Sequence, residues 1–356
     1  MKIIINATIL DEKPTGIGVY TLNILNKISI KYSLFTSLDY QMSHVTLIKL
    51  TKYIRPFPYK KIGGIIRFFI NQTYFTYIAK KYKIAYLPTP HGSLFLKNQI
   101  VTVHDLLALH FPEQHKLQYY YYKYFMPTIL KKAKRIIAIS NSTKNDLVDF
   151  YKLDPSKIKV IYNGFDSNHF TFKQHAYKYI LNKYDLKNYI FTVGSSYPHK
   201  NINKLIEAFK NIKDNSLKLA ITGNIGEYQK KLIENNNIQN IVFLGYIDFD
   251  DLPYFYSAAR AMVYPSLYEG FGFPPLEAMG CNCPVIVSNT SSLPEVCGNA
   301  AEYIDPEDTD SITNAIEKVL LNNIYKNDLI ENGKLQIQKF TWEKTTDEIL
   351  KLFKEI

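Results

Sequence analysis

PSLYEGFGFPPLEAMGCNCPVIVSNTSSLP, residues 265–294, follows the apolar run Ala261–Tyr264. It passes through a glycine-bearing loop and enters a stretch opened by Pro274 and Pro275. Proline close to a helix start gives up no hydrogen bond, so the order predicts strand, loop, helix. Gly270 and Gly272 let backbone amides approach a ligand closely, and the positive end of the helix suits a diphosphate. Glu269 and Glu277 flank that anion site, one from the loop and one from the first helical turn. Carboxylates repel phosphate unless they accept hydrogen bonds from hydroxyls, which a sugar and a ribose supply. The pattern therefore suits a nucleotide sugar better than a bare phosphate. The plainer alternative is that Glu277 merely charges the helix start.

Outward from this stretch, short β-branched and aromatic runs alternate with helix-length amphipathic segments along the whole chain. That alternation predicts an α/β protein with parallel sheets built from βαβ units. Strands are expected at Lys2–Ala7, Ile100–His104, Arg135–Ser140 and Ile158–Tyr162 in the first half. In the second half they are expected at Tyr189–Gly194, Leu217–Gly223, Ile241–Gly245, Ala261–Tyr264 and Pro284–Ser288. Asn163 to Lys187 is polar and lacks a clear apolar period, which places a junction there. The expected division is 1–165, 166–340 and a closing helix at 341–356 that packs back on the first domain.

The 356 residues, 46% of them hydrophobic, supply a core to each of two domains. Cys281, Cys283 and Cys297 form neither a C-x-x-C pair nor an even framework, which points to a reducing cytosol and to no zinc site. The opening MKIIINATIL is too short for a signal-peptide core. The longest apolar stretch, Ile62 to Ile78, is broken by Arg67, Asn71 and Gln72, so no spanning helix is expected. The net charge of +11 is unevenly spread: residues 1–165 carry 24 Lys and Arg against 8 Asp and Glu, the remainder 19 against 24. A basic first half implies an anionic partner, whether lipid headgroups, a phosphate-bearing acceptor or nucleic acid. Tyr119–Tyr122 beside Lys123, Lys131, Lys132, Lys134 and Arg135 reads as an interfacial surface, with buried helix packing the alternative.

EGFGFPPLEAMGCNCPVIVSNTSSLPEV is similar to the E-x7-E signature of family 4 of the glycosyltransferases, retaining mannosyl- and glucosyl-type enzymes of the GT-B fold. The resemblance implies two Rossmann-like domains facing across a cleft. It implies that Glu269 approaches the hydroxyls of the donor sugar, that Glu277 holds the ribose, and that Gly270, Phe271 and Gly272 contact sugar and diphosphate. FTVGSSYPHKNINKLIEA, residues 191–208, resembles the family's donor-diphosphate loop, with Lys200 as its lysine and Gly194, Ser195 and His199 as neighbouring contacts. Relatives often carry arginine where Ser195 or His199 stands, so half of the cationic clamp departs from the pattern. DEKPTGIGVY, residues 11–20, resembles the glycine-rich acceptor-side loop through Gly16 and Gly18, which by themselves read as an ordinary turn. VTVHDLL places His104 where relatives hold a histidine near the transferred sugar; a core histidine bonded to a carbonyl is the other reading. Asn163 and Gly164 match the family's interdomain junction.

The resemblance implies transfer of a hexose, mannose first, from a GDP- or UDP-linked donor to a glycan hydroxyl, with no metal cofactor. Lys200, Glu269 and His104 would carry the chemistry. A polyprenyl-diphosphate-linked acceptor of the O-antigen kind, met at the inner face of the cell membrane, fits the basic first half; nucleic acid is not an expected partner. Three rivals stay distinguishable. A hydrolase would act without a nucleotide sugar, a nucleic-acid module would bind oligonucleotides in a salt-sensitive way, and a non-catalytic binder would take up donor yet release no nucleoside diphosphate.

Overall fold

The computed structural model describes residues 2–12, 16–56, 60–194 and 197–356. Ser195, one of the expected donor contacts, lies outside them. The chain forms two compact units, Met1–Gly164 with Trp342–Ile356, and Phe165–Thr341.

The N-terminal unit is built on a parallel sheet of seven strands: β1 (Ile3–Asn6), β2 (Tyr32–Thr36), β3 (Val45–Lys49), β4 (Ile84–Leu87), β5 (Gln99–Val103), β6 (Arg135–Ala138) and β7 (Ile158–Val160). Their order is β3-β2-β1-β4-β5-β6-β7. β1, β2, β4 and β5 are buried along their whole length, which explains why they are mostly apolar and show no strict alternation. Helix Trp342–Lys354 belongs to this unit: Thr345 donates to the Tyr162 carbonyl (2.8 Å) and Phe353 meets the Tyr86 ring at 5.3 Å.

The C-terminal unit carries six parallel strands: β8 (Tyr189–Thr192), β9 (Lys218–Ile221), β10 (Ile241–Phe243), β11 (Met262–Tyr264), β12 (Val285–Ser288) and β13 (Ala301–Ile304), in the order β10-β9-β8-β11-β12-β13. The chain winds one way from β8 and the other way from β11. Such a switch point opens a crevice outside the carboxyl ends of the two strands, where ligands of doubly wound sheets bind.

Sequence reading missed β2, β3, β4 and β13. Each is four or five residues long with charged residues in it or beside it, cationic at β2, β3 and β4 and acidic at β13, so none stands out as a long apolar run. The polar stretch after Asn163 is also not without regular structure. It contains helix Ala176–Tyr184, whose short buried stripe, Ala176 and Ile180, is too sparse to show a period. The broken run from Ile62 to Ile78 is one continuous helical segment: an α-helix at Lys60–Ile70, a π-helical turn at Asn71–Phe75 and a further turn at Thr76–Ala79. Asn71 faces inward, accepting from Asn6 (2.9 Å) and donating to the His91 carbonyl (2.8 Å). Among the described residues no helix is long and apolar enough to cross a membrane.

Candidate functional site

Two loops leave the switch point of the C-terminal sheet. The loop after β8 carries Gly194 and Lys200; the loop after β11 carries Ser266 and Glu269. Their strands are hydrogen-bonded neighbours, so residues far apart in sequence arrive side by side. Lys200 Nζ lies 2.6 Å from Glu269 Oε1 and donates to the Tyr264 hydroxyl at 2.5 Å. The Ser266 hydroxyl donates to the same Glu269 oxygen at 2.6 Å. Tyr264, 1% exposed, lies beneath the pair, its ring centroid 4.9 Å from Lys200 Nζ. Burial pushes the Glu269 carboxyl up, but the Lys200 ammonium and the Ser266 and Tyr264 hydroxyls outweigh it and hold the group below its ordinary value.

The loops are fixed by their own sequence. Gly194 has φ +92°, and a Cβ there would stand 3.3 Å from Lys200 Cγ, so glycine leaves the lysine stem its path. The His199 carbonyl accepts from the Leu267 amide at 2.8 Å, tying the lysine turn to the glutamate loop. The end of the 265–294 stretch holds its beginning: Ser291 Oγ accepts from the Glu269 amide (2.9 Å), and Ser292 donates to the Phe271 carbonyl (2.6 Å). Gly272, at φ +124°, caps helix Phe273–Gly280, and a Cβ there would stand 3.0 Å from Leu293. Sequence reading credited the amides of this helix with gripping a diphosphate. Pro274 and Pro275 occupy its second and third positions and have no N–H, so any amide donors belong to the loop and the helix's first residue, 270–273.

Glu277 points to an open cavity of about 460 Å³, lined also by Gly194, Gly223, Gly245, Tyr246 and Tyr256. Gly223 and Gly245 are bridged backbone to backbone (2.7 Å) and give it a floor without side chains. The Tyr256 hydroxyl donates to Glu277 Oε2 at 3.0 Å. Burial pushes the Glu277 carboxyl up to about 7, with the Tyr256 bond opposing. Gly194 thus joins the two halves of the site: Glu277 shares its cavity, and the stem of Lys200, the partner of Glu269, packs against it. Tyr264, Ser266 and Tyr256 are the polar side chains that sequence reading missed. Their signal was position, at or just beyond a strand end or on the helix before it.

His199 is 5% exposed, its ring 5.6 Å from that of Tyr197. Its carbonyl braces the loop, accepting from the Leu267 amide and the Ser266 hydroxyl. In the N-terminal unit, Gly16 (φ +49°) precedes helix Ile17–Lys27 and Gly18 is buried in its first turn. His104, just beyond β5, is 8% exposed; its Nε2 lies 2.9 Å from the Pro88 carbonyl, and the Tyr20 ring meets it edge-on at 4.7 Å. Burial pushes its pKa down to about 4 against that hydrogen bond, so the ring is neutral near pH 7. In this state the expected catalytic histidine offers a neutral ring and no charge.

Comparison with known proteins agrees with this geometry. Residues 173–336 match the family model of glycosyl transferases group 1, and residues 31–169 match that of glycosyltransferase family 4. The O-antigen chain mannosyltransferase B of Escherichia coli is 32% identical over 279 residues, 74% of this chain and 73% of that protein. The O-antigen chain mannosyltransferase RfbU of Salmonella typhimurium is 34% identical over 65% of this chain; the match spans 63% of that relative's length. Among solved structures, sucrose-phosphate synthase from Thermosynechococcus elongatus superposes with a TM-score of 0.76 at 21% identity, covering 99% of this chain and 98% of that one. Anabaena HepE in complex with UDP and glucose superposes with a TM-score of 0.77 at 17% identity, covering both chains fully. The chain belongs to family 4 of the glycosyltransferases and has their GT-B fold of two Rossmann-like domains.

Proposed function

We propose that this chain transfers a hexose, mannose as first candidate, from a nucleoside-diphosphate sugar to a glycan hydroxyl with retention of anomeric configuration. One observation carries the reading: at the switch point the Lys200 stem, whose ammonium pairs with Glu269, lies against Gly194, and Glu277 lines the cavity that Gly194 borders. In the reaction the bond from the anomeric carbon to the diphosphate breaks and a bond to the acceptor oxygen forms. The acceptor proton passes to the departing phosphate oxygen, so no protein nucleophile is needed. Lys200 turns from Glu269 to the leaving diphosphate, where charge grows as the bond breaks, and stabilises that state more than the ground state. Glu269 then accepts hydroxyls of the sugar, and Glu277 accepts those of the ribose. The names of the two O-antigen mannosyltransferases support mannose and a surface-polysaccharide acceptor, here a polyprenyl-diphosphate-linked glycan. The cationic first half supports work at the inner face of the cell membrane.

The test is a thermal-shift panel of GDP, UDP and their hexoses, followed by nucleoside-diphosphate release with and without a lipid-linked glycan. Ligand at a hundred times its Kd should stabilise the fold by about 2.7 kcal/mol. GDP-mannose should give the largest shift and acceptor-dependent release of GDP. No shift with any of these nucleotides would sink the reading, and a shift without release leaves only a sugar-nucleotide binder.

A further inference from the structure

We infer that the helical segment Lys60–Ala79 and helix Lys116–Tyr124 form a face that docks on an anionic phospholipid bilayer. The inference rests on the reading of the chain as a membrane-surface enzyme and assigns that contact to particular residues. An ordinary surface helix turns its apolar stripe inward. In Lys60–Ala79 the exposed positions include Ile62, Ile65, Phe69, Thr73 and Tyr77, spaced three and four apart on one face, and Ile62, Ile65 and Phe69 are 66%, 59% and 60% exposed. Helix Lys116–Tyr124 repeats the inversion with Leu117, Tyr120 and Tyr124 at 68%, 55% and 61%. It splits the tyrosine cluster noted in the sequence, since Tyr122 is buried and serves the core.

The two helices are neighbours. The Phe68 ring meets Phe125 at 5.1 Å and Tyr121 at 6.2 Å, and the loop between β4 and β5 bridges them through Gln72 to Gly92 and Tyr121 to Pro90. The apolar side chains thus lie on one part of the N-terminal unit. Monomers rarely leave such surface bare unless something covers it.

Charge identifies the cover. From residue 40 to residue 104 the sequence contains ten Lys and Arg and no Asp or Glu. Lys123 stands over the rings of Tyr119 and Tyr124 (5.3 and 5.5 Å), and Lys81 over that of Tyr77 (4.9 Å). Where the first helical segment ends, a hollow of about 620 Å³ is lined by Lys2, Lys31, Lys81 and His44. Apolar side chains with tyrosine rings at their edge and ammonium groups around them match the layers of a bilayer surface: acyl chains, interface and anionic headgroups. A second copy fits worse, because a two-fold interface would set this cationic rim against itself.

The test uses the full chain and phosphatidylcholine vesicles with or without about one third phosphatidylglycerol. The protein should float with the anionic vesicles, weakly with the neutral ones, and less as salt rises. I65Q/F69Q, both at exposed positions, should lower partitioning about tenfold or more while leaving the nucleotide thermal shift of the other unit unchanged. Failure to bind anionic vesicles at low salt overturns the inference. So does unchanged partitioning of the variant, or a concentration-dependent dimer that the variant abolishes. Loss of nucleotide response with vesicle binding intact would instead refute the donor reading and leave the docking face standing.

Discussion

The two units handle charge in opposite ways. In the C-terminal unit, functional charges are drawn inside and set against one another: Lys200 and Glu269 have side chains only 18% and 14% exposed, and each satisfies the other. In the N-terminal unit the buried candidate, His104, is neutral, and the cations stand on the surface around exposed apolar rings. A paired, partly desolvated ammonium is oriented before any ligand comes, which is how a fixed field acts on a reaction. Exposed lysines are screened and mobile, which suits contact with an extended anionic surface. On the proposed reading, one half acts on a bond and the other meets a surface.

The largest expected effect breaks the interior pair. Lys200→Met should lower donor turnover about a hundredfold or more. It should also cost about 3 kcal/mol of stability, because Glu269 is left partly buried with no cation. Adding Glu269→Gln should recover most of the melting temperature and none of the turnover, separating the charge that holds the fold from the charge that acts. Full turnover in Lys200→Met would show that the ion pair is scaffolding.

Next comes the pH response of Glu277. Its carboxyl sits at about 7 against an ordinary 4.5. Between those values the folded protein keeps a proton the unfolded chain has released, so ligand-free stability falls as pH rises through this window and levels off above about 7. The change amounts to about 3 kcal/mol. Nucleotide affinity runs the other way: ribose hydroxyls need the ionised carboxylate, so binding tightens as pH rises and plateaus above 7. Titration with an intact nucleotide sugar, which lacks a terminal phosphate titrating near 6, isolates this slope. Glu277→Gln should bind more weakly and flatten both profiles; an unchanged slope would assign the proton elsewhere.

How much of this the sequence disclosed follows the same division. In the C-terminal unit the residues of the candidate site lie mostly in two short segments, so their neighbourhood in space is nearly their neighbourhood in the chain. The loop of Glu269 is even held by Ser291 and Ser292 of the same quoted stretch. What stayed hidden were hydroxyls whose importance depends on a partner from another loop, such as Tyr264 beneath Lys200, and the absence of N–H groups at Pro274 and Pro275. In the N-terminal unit the strands between Tyr32 and Leu87 are short and the decisive pattern is exposure. A stripe at Ile62, Ile65 and Phe69 looks the same in sequence whether it faces the core or the solvent.

A smaller change probes the interior without removing a charge. Tyr264→Phe deletes the hydroxyl that accepts from Lys200 and helps hold the Glu269 carboxyl down, while keeping the ring. The loss of about 1–2 kcal/mol should appear as a several-fold fall in kcat with little change in KM, and as a rise in the pKa of the Glu269 carboxyl. An equal effect on stability alone, with kcat intact, would make the hydroxyl a packing detail.

The smallest effect belongs to His104, and its smallness is informative. A ring that titrates at about 4 neither gains nor loses a proton between pH 6 and 8, and its Nε2 is engaged with the Pro88 carbonyl. General acid or base catalysis by a side chain contributes about 10²–10⁴-fold, so a proton-transferring histidine could not be replaced cheaply. His104→Gln keeps a donor for Pro88 and should therefore lower kcat/KM less than about tenfold, with the pH profile of turnover unmoved. A loss of a hundredfold or more, with the acid limb displaced, would mean that donor or acceptor binding lifts the imidazole pKa back toward neutrality. The N-terminal unit would then also place a working charge inside, and the contrast between the two halves would fail at its most buried point.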